Sequence, residues 1–189
     1  IGGDGDGLAI GLGHFLHATR RNLDVLYILV DNNVYGLTKG QSSPTTQLEH
    51  HTKSNPFHID GPPMNPVPLA LSAGASFVAR LFAGDMQSML NILPQAFEHK
   101  GFAFVHALSP CTVFHDTFQL YFNSVKPLPE THKTDDKINA MQLGMSNDPI
   151  YSGVFFNQEQ ETLLDRVNSI KTQKQQTVTV KDIARTWSR

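Results

Sequence analysis

The chain has 189 residues, of which 40% are hydrophobic and 17% are charged. This length suffices for one domain with a buried core, and the composition excludes an intrinsically disordered chain. With 15 basic and 17 acidic residues and a net charge of −2, the sequence excludes a general nucleic-acid binder, although a local phosphate site stays open.

A single cysteine, Cys111, is present. It cannot form an intrachain disulfide, so we expect a cytoplasmic protein. No run approaches the ~18 apolar residues that span a bilayer, so we expect no membrane partner. A glycine-rich turn follows Ile1 almost at once. Because such turns usually follow a strand, we expect the natural chain to begin upstream.

Residues 1 to 118 alternate between helical and strand patterns. In chain order, the patterns predict a glycine-rich loop that runs into a helix (4–17), a strand (23–30), a turn-rich loop (31–68), a helix (69–75), a strand (76–82), a helix (85–99) and a strand (102–108). Pro94 should shorten or kink the helix over 85–99. Helices between apolar strands predict an α/β fold with a parallel sheet.

The pattern weakens after residue 118. It predicts, in order, a connector (125–134), a helix (138–143), a short apolar segment (154–156), a helix (160–169) and a polar tail (171–189). We therefore expect a main domain at 1–125 and a partly irregular C-terminal extension at 126–189.

Two polar motifs flank the first predicted helix and strand. Gly3-Asp4-Gly5-Asp6-Gly7 precedes them, and Asp31-Asn32-Asn33 follows. In a parallel sheet both motifs lie at the carboxyl edge, where open α/β sheets bind ligands. Glycines let the backbone approach a diphosphate closely, but a carboxylate there needs a cation between itself and the phosphate. Asp4 and Asn32 offer two of the oxygen ligands that Mg²⁺ prefers.

These motifs resemble a known family. Gly-Asp-Gly with a distant Asn-Asn is similar to the thiamin diphosphate signature. The residues at 3–11, 20–22, 31–41 and 43–46, and again at 98–102, 109–111 and 148–150, resemble the β subunit of 2-oxoacid:ferredoxin oxidoreductases. The resemblance implies the thiamin diphosphate-binding fold, a three-layer α/β architecture with a mostly parallel sheet.

The same resemblance implies a reaction. It is the coenzyme A-dependent oxidative decarboxylation of a 2-oxoacid, reversible in principle, with electrons passed through iron–sulfur chemistry to ferredoxin. The sequence of residues 35–41, Tyr-Gly-Leu-Thr-Lys-Gly-Gln, resembles the 2-oxoglutarate branch of the family more than the pyruvate branch, so we expect 2-oxoglutarate as the substrate.

Residue roles follow from the resemblance as expectations. Mg²⁺ would be held by the side chains of Asp4 and Asn32 and by the backbone oxygen of Val34. The remaining predicted cofactor contacts are Gly3, Gly5, Asp6, Tyr35 and Gly36.

The residues after the cofactor loop are expected at the substrate. Leu37 and Thr38 would line the pocket, and Lys39 would pair with a carboxylate of the 2-oxoacid. A solvated surface lysine is the alternative reading of Lys39.

Cys111 alone is typical of an inert, small apolar residue. The resemblance instead implies that it is one of four thiolate ligands of a [4Fe–4S] cluster, the other three lying in an amino-terminal segment that this sequence lacks. The nine histidines have no zinc-ligand spacing.

We nominate no glutamate for cofactor activation, because the family carries it on a separate domain. The implied partner is an α subunit with the pyrimidine-binding domain, alongside ferredoxin, the 2-oxoacid and coenzyme A. Two alternatives remain, a non-redox thiamin-dependent decarboxylase or synthase and a catalytically silent interaction subunit. The intact Asp4 and Asn32 pair argues against the silent subunit.

Overall fold

A six-stranded mixed sheet organises the chain in the computed structural model, which describes residues 1–48, 50–52, 55–57 and 61–173. The strands are β1 (Gly2–Gly3), β2 (Val25–Asp31), β3 (Phe77–Phe82), β4 (Phe102–Leu108), β5 (Val125–Pro127) and β6 (Ile150–Asn157). Their order across the sheet is β1-β2-β4-β3-β6-β5. The first four are mutually parallel, whereas β6 runs antiparallel to β3 and β5 runs parallel to β6.

A helix lies between each pair of consecutive strands, and a further helix follows β6. The helices are α1 (Leu12–Arg20), α2 (Pro66–Ala73), α3 (Met86–Glu98), α4 (Phe118–Ser124), α5 (Lys137–Gly144) and α6 (Leu163–Gln173), and a π-helical turn at Asp6–Ile10 precedes α1. Among the residues that the structure describes, no helix combines the length and apolarity needed to cross a membrane.

The central strands are covered on both faces. Along β4, Phe102 and Phe104 pack with apolar residues of α1 and α2, whereas Ala103 and Val105 pack with α3. This period of two explains why β3 and β4 read as continuous apolar runs, since every residue of both is buried. The predicted α/β fold, with three layers and a mostly parallel sheet, is confirmed.

The strands predicted at 76–82 and 102–108 match β3 and β4. Asp85 caps α3 by accepting a hydrogen bond from the Ser88 amide at 3.1 Å. Pro94 does not shorten this helix, because α3 continues through it to Glu98, and the alternative expectation of a kink stays a prediction. Because proline has no N–H, the Leu90 carbonyl lacks its usual helical donor, and α3 passes this position with one backbone bond fewer.

Some elements differ from the predictions. The helix predicted at 69–75 begins earlier, because Asn65 caps α2 ahead of Pro66. Helix α4 was not predicted, and the apolar segment at 154–156 lies in the second half of the longer strand β6. Because β6 pairs with β3, part of the predicted C-terminal extension shares the main sheet. The division at residue 125 stays a prediction, and the polar tail beyond residue 173 lies outside the described residues.

Candidate functional site

Two loops leave the sheet side by side. β1 and β2 are parallel neighbours, with Gly3 in register with Val30. Asp4 directly follows β1, and Asn32 directly follows β2. The parallel pairing therefore brings both residues to the carboxyl edge that their spacing predicted.

Asp4 is a buried carboxylate, 3% exposed. Its Oδ2 lies 2.9 Å from the hydroxyl of Thr45, and that hydroxyl lies 2.7 Å from Oδ1 of Asp31. Burial, and then the negative charge of Asp31, raise the pKa of Asp4 above its ordinary value. Among the residues that the structure describes, no basic side chain forms an ion pair with Asp4. A buried carboxylate in this condition suits a divalent cation, which would supply the missing charge.

The second loop turns tightly after β2. Asn33 adopts a left-handed conformation with φ of 58°, and its side-chain amide donates to Asp31 at 3.0 Å and to the Thr45 carbonyl at 3.1 Å. Asn32 stays half-buried, and its Oδ1 accepts a hydrogen bond from the amide of buried Val34 at 3.1 Å. The oxygens of Asn32 and Val34 fit Mg²⁺ in kind, and their role as ligands stays a prediction.

The glycine turn is shaped against Tyr35. A Cβ atom on Gly5 would lie 2.1 Å from Cε1 of that ring, so any larger residue would displace the ring. The Tyr35 hydroxyl donates to the Gly5 carbonyl at 3.4 Å. Asp6 is exposed, and its carboxylate accepts from the Gly3 amide at 3.3 Å. Two contacts thus form next to Asp4, one between Gly3 and Asp6 and one between Gly5 and Tyr35.

The segment from Tyr35 to Gln41 forms a closed loop. The Tyr35 amide donates to the Gln41 carbonyl, and the Gly40 amide donates to the Tyr35 carbonyl, both at 2.9 Å. At the tip, Leu37 is 99% exposed, and Thr38 and Lys39 are also exposed. These three side chains face outward, and their predicted substrate contacts stay a prediction.

Cys111 lies in a turn that contacts this loop. The ring of Phe114 would lie 3.3 Å from a Cβ on Gly40, and the Phe114 amide donates to the Cys111 sulfur at 3.4 Å. Burial alone would raise the pKa of the Cys111 thiol, but amides of Phe114, Val113 and His115 lower it below its ordinary value. This setting favours a thiolate, the form that ligates iron.

Sequence reasoning missed a set of buried polar residues behind Asp4. Asp31 ends β2, His106 lies in β4 and Arg80 lies in β3, each at most 3% exposed. His106 Nε2 is 2.8 Å from Asp31 Oδ2, and Arg80 Nε donates to His106 Nδ1 at 3.1 Å. We call these three residues the buried polar chain. A lone histidine and a lone arginine inside two apolar strands were the available signal.

The contacts of the buried polar chain define its charges. Because Arg80 donates to Nδ1, that nitrogen carries no proton, and Nε2–H donates to Asp31. Burial, together with the charge of Arg80, lowers the pKa of His106 and keeps the imidazole neutral. Burial opposes ionisation of Asp31, but bonds from His106, Thr45 and Asn33 bring its pKa below the ordinary value. Burial lowers the pKa of Arg80 to about 10, so it stays charged at neutral pH.

A cavity of about 400 Å³ borders the buried polar chain. Asn33, Thr45, Arg80 and Tyr121 are among its lining residues, and the Tyr121 hydroxyl donates to Asn33 Oδ1. Burial, and then the charge of Asp31, raise the pKa of Tyr121, so the phenol stays protonated. Asn33 in the second loop is therefore bonded to Asp31 and Thr45 through its side-chain nitrogen and to Tyr121 through its side-chain oxygen.

Comparison with protein families gives two matches. Residues 1–107 match the thiamine pyrophosphate enzyme C-terminal TPP-binding domain. Residues 111–172 match the C-terminal part of the pyruvate ferredoxin oxidoreductase beta subunit.

Similar curated proteins and solved structures agree with these matches. A 2-oxoacid:ferredoxin oxidoreductase subunit beta from Saccharolobus solfataricus is 46% identical over 136 residues, covering 71% of this chain and 45% of that protein. A 2-oxoglutarate synthase subunit KorB from Archaeoglobus fulgidus is 32% identical over 169 residues, covering 89% of this chain and 61% of that protein. The chain thus spans about half the length of these relatives.

A solved structure resembles nearly the whole chain. The 2-oxoglutarate:ferredoxin oxidoreductase from Magnetococcus marinus, with 2-oxoglutarate, coenzyme A and succinyl-CoA bound, matches with a TM-score of 0.89 and 36% identity. The match covers 99% of this chain and 66% of that one. The resemblance read from the sequence motifs is confirmed.

Proposed function

Because this chain belongs to the thiamine pyrophosphate enzymes and has the sequence features of a 2-oxoacid:ferredoxin oxidoreductase β subunit, we propose that it supplies the Mg²⁺–diphosphate half of such an active site. One observation carries the proposal. The buried Asp4 carboxylate has no ion-pair partner within the described residues and lies at the same sheet edge as Asn32.

The proposed cofactor contacts use two loops. Asp4 and Asn32 would hold Mg²⁺ through side-chain oxygens, and Val34 would add its carbonyl oxygen. Octahedral coordination by oxygen is what this ion requires. The metal would neutralise the carboxylate and the diphosphate together.

The diphosphate itself would rest against the remaining predicted residues, which are Gly3, Gly5, Asp6, Tyr35 and Gly36. The bare Gly5 backbone and the start of the helical segment that follows support this contact. Thiamin diphosphate, when bound, supplies the nucleophilic carbon on which a 2-oxoacid is decarboxylated.

We propose 2-oxoglutarate as the substrate, on the wording of residues 35–41 and the similar KorB proteins. Lys39 would pair with a substrate carboxylate, and Leu37 and Thr38 would border it. All three are exposed at a loop tip, which supports a pocket completed by another subunit. That subunit would be an α chain that carries the pyrimidine-binding domain and the activating glutamate.

Electron transfer in the proposal involves Cys111. Its sulfur accepts backbone hydrogen bonds that favour the thiolate, as expected of one ligand in a [4Fe–4S] site that needs four. Three further cysteines would come from outside this sequence. The proposed acceptor is ferredoxin, coenzyme A would take the acyl group, and we place the activity in the cytoplasm.

Cofactor binding tests the centre of the proposal. The full-length β subunit, assembled with its α subunit, should bind thiamin diphosphate in calorimetric titrations only when Mg²⁺ is present. Asp4→Ala should abolish detectable binding, because it removes the only charged ligand we assign. Asp135→Ala is a matched control, since Asp135 is an exposed aspartate in the turn before α5, outside the two loops of the site. Unchanged affinity in Asp4→Ala would refute the assignment.

Substrate choice has its own test. Lys39→Ala should raise KM for 2-oxoglutarate in the ferredoxin reduction assay, whereas exposed Lys133→Ala should not. Equal kinetics in both variants would show that Lys39 is a solvated surface lysine.

Iron and acid-labile sulfide analysis tests the cluster. We expect iron in the full-length protein and a clear loss in Cys111→Ser. An iron-free wild type would indicate a non-redox enzyme instead.

A further inference from the structure

We propose that His106 is a positioning residue that, through its bond to Asp31, holds Asp4 in place to receive Mg²⁺ and the diphosphate. The inference rests on the proposed function and deepens it. The imidazole does not need to touch the cofactor, because it acts through Asp31 and Thr45.

The contacts run without a gap from Arg80 to Asp4. Arg80 Nε donates to His106 Nδ1 at 3.1 Å, and His106 Nε2 donates to Asp31 Oδ2 at 2.8 Å. The hydroxyl of Thr45 then lies 2.7 Å from Asp31 Oδ1 and 2.9 Å from Asp4 Oδ2. Each of these residues is at most 3% exposed, and hydrogen bonds are stronger in such a buried environment than in water.

Register places the first two members side by side. Arg80 and His106 are directly opposed between β3 and β4. Both share the face of Phe104 and Val78, which pack with α1 and α2. Packing on that face needs only apolar side chains, and a buried arginine and histidine are costly unless paired. In the buried polar chain, Arg80 is paired with His106, and His106 is paired with Asp31 next to the site.

Arg80, the member of the buried polar chain farthest from Asp4 along these contacts, is held in place as well. Arg80 donates to Asn65 Oδ1 at 2.9 Å, and its guanidinium lies 5.6 Å from the centre of the Phe155 ring. Asn65 in turn caps α2 by accepting from the Val67 amide. The arginine is therefore fixed by an element outside the two loops, and it can fix His106 in turn.

Thr45 is where the chain reaches Asp4. Its hydroxyl has one proton and lies between two carboxylate oxygens. Asp31 Oδ1 also accepts from the amide and the side chain of Asn33, both at 3.0 Å. The orientation of Asp31 therefore determines where Thr45, and with it the Asp4 carboxylate, can lie. Such outer partners commonly change metal affinity by about 10–100-fold when mutated.

Two substitutions divide the role of His106. In His106→Gln, the amide nitrogen can reach the position of Nε2 and keep the bond to Asp31. In His106→Asn, the shorter side chain places its amide near the position of Nδ1, so it can keep Arg80 but loses Asp31. Both variants are neutral and polar, so they differ mainly in which bond they keep.

The experiment uses the full-length β subunit assembled with its α subunit. Calorimetry measures the Kd for thiamin diphosphate in the presence of Mg²⁺, and the melting temperature of the cofactor-free complex is measured separately. We expect His106→Asn to raise Kd about 10–100-fold and His106→Gln to stay near wild type.

Ser76→Ala is the control for general destabilisation. Ser76 precedes β3 at the opposite edge of the sheet, and its buried hydroxyl bonds to Asn22 and His99 at 2.7 and 2.8 Å. Its loss should lower the melting temperature and leave Kd unchanged.

Each outcome is decisive. A raised Kd in His106→Asn, with restored binding in His106→Gln and unchanged binding in Ser76→Ala, supports the inference. Wild-type Kd in His106→Asn overturns it, as does a Kd that rises equally in His106→Asn, His106→Gln and Ser76→Ala. A wild-type complex that binds no thiamin diphosphate overturns the proposed function, and the inference with it.

Discussion

Gly5→Ala tests the geometry of the glycine turn most directly. The Gly5 backbone is helical, with φ of −63° and ψ of −38°, so alanine meets no conformational penalty there. The added methyl group would instead lie 2.1, 2.7 and 2.9 Å from three carbon atoms of the Tyr35 ring. Carbon atoms in contact prefer about 3.5–4.0 Å, so the ring must move by more than ~1 Å.

The expected cost follows from overpacking. Forcing an extra carbon into a filled site typically destabilises a protein by about 1–3 kcal/mol. The ring also borders the proposed diphosphate surface, so its displacement should weaken cofactor binding in Gly5→Ala. Gly13→Ala is the matched control, because Gly13 lies in α1 and a Cβ there meets nothing within 4 Å. That substitution should stabilise by roughly 0.5–1 kcal/mol through helix propensity.

Urea denaturation of the full-length protein, followed by circular dichroism, measures both free energies of unfolding. Calorimetric titration with thiamin diphosphate and Mg²⁺ measures binding. Gly5→Ala should cost less unfolding free energy in a Tyr35→Ala protein than it does in wild type, because the ring that clashes with the added methyl group is gone. If Gly5→Ala were as stable as Gly13→Ala and bound the cofactor as wild type does, the packing of Tyr35 on the turn would be disproved.

Gly40 adopts φ of +99°, and a Cβ there would lie 3.3 Å from the ring of Phe114, so Gly40→Ala should lower the unfolding free energy measured in urea by about 1–2 kcal/mol. The control Gly36→Ala, whose Cβ would meet nothing within 4 Å, should change it by no more than ~0.5 kcal/mol. Equal values for the two variants would contradict the turn geometry. Tyr121→Phe should cost about 1–3 kcal/mol, because Asn33 Oδ1 loses a buried donor; an unchanged unfolding midpoint would argue against that bond. Burial lowers the pKa of His106 below 6.5, so its contribution to stability is fully present above pH 6.5 and is lost as pH falls below it. The unfolding free energy of wild type minus that of His106→Gln should therefore fall with decreasing pH, by at most about 1.4 kcal/mol per unit, and a flat difference would show that His106 titrates normally.

Local patterns were enough for the main elements of the sheet. The run at 102–108 is apolar at every position except His106 and became β4, because a strand covered on both faces has no reason to alternate. The placement of Asp4 and Asn32 at one edge also followed from order alone, since both come directly after strands that a helix connects in parallel.

Other features depended on the whole fold. β4 lies between β2 and β3, and this order, together with the register of the strands, brings Asp31, His106 and Arg80 into contact. No local pattern contains that information, because strand order is decided by the packing of all the strands and helices together. Leu37 is a similar case: its position after the cofactor loop predicted a place in the pocket lining, and only the tertiary structure shows that its side chain is exposed at the tip of a closed loop. The sequence by itself determined which residues are candidates for binding a metal and a diphosphate, because residue chemistry and spacing can be read locally. The partners that hold those residues were decided only by tertiary structure, because contacts between distant strands depend on register.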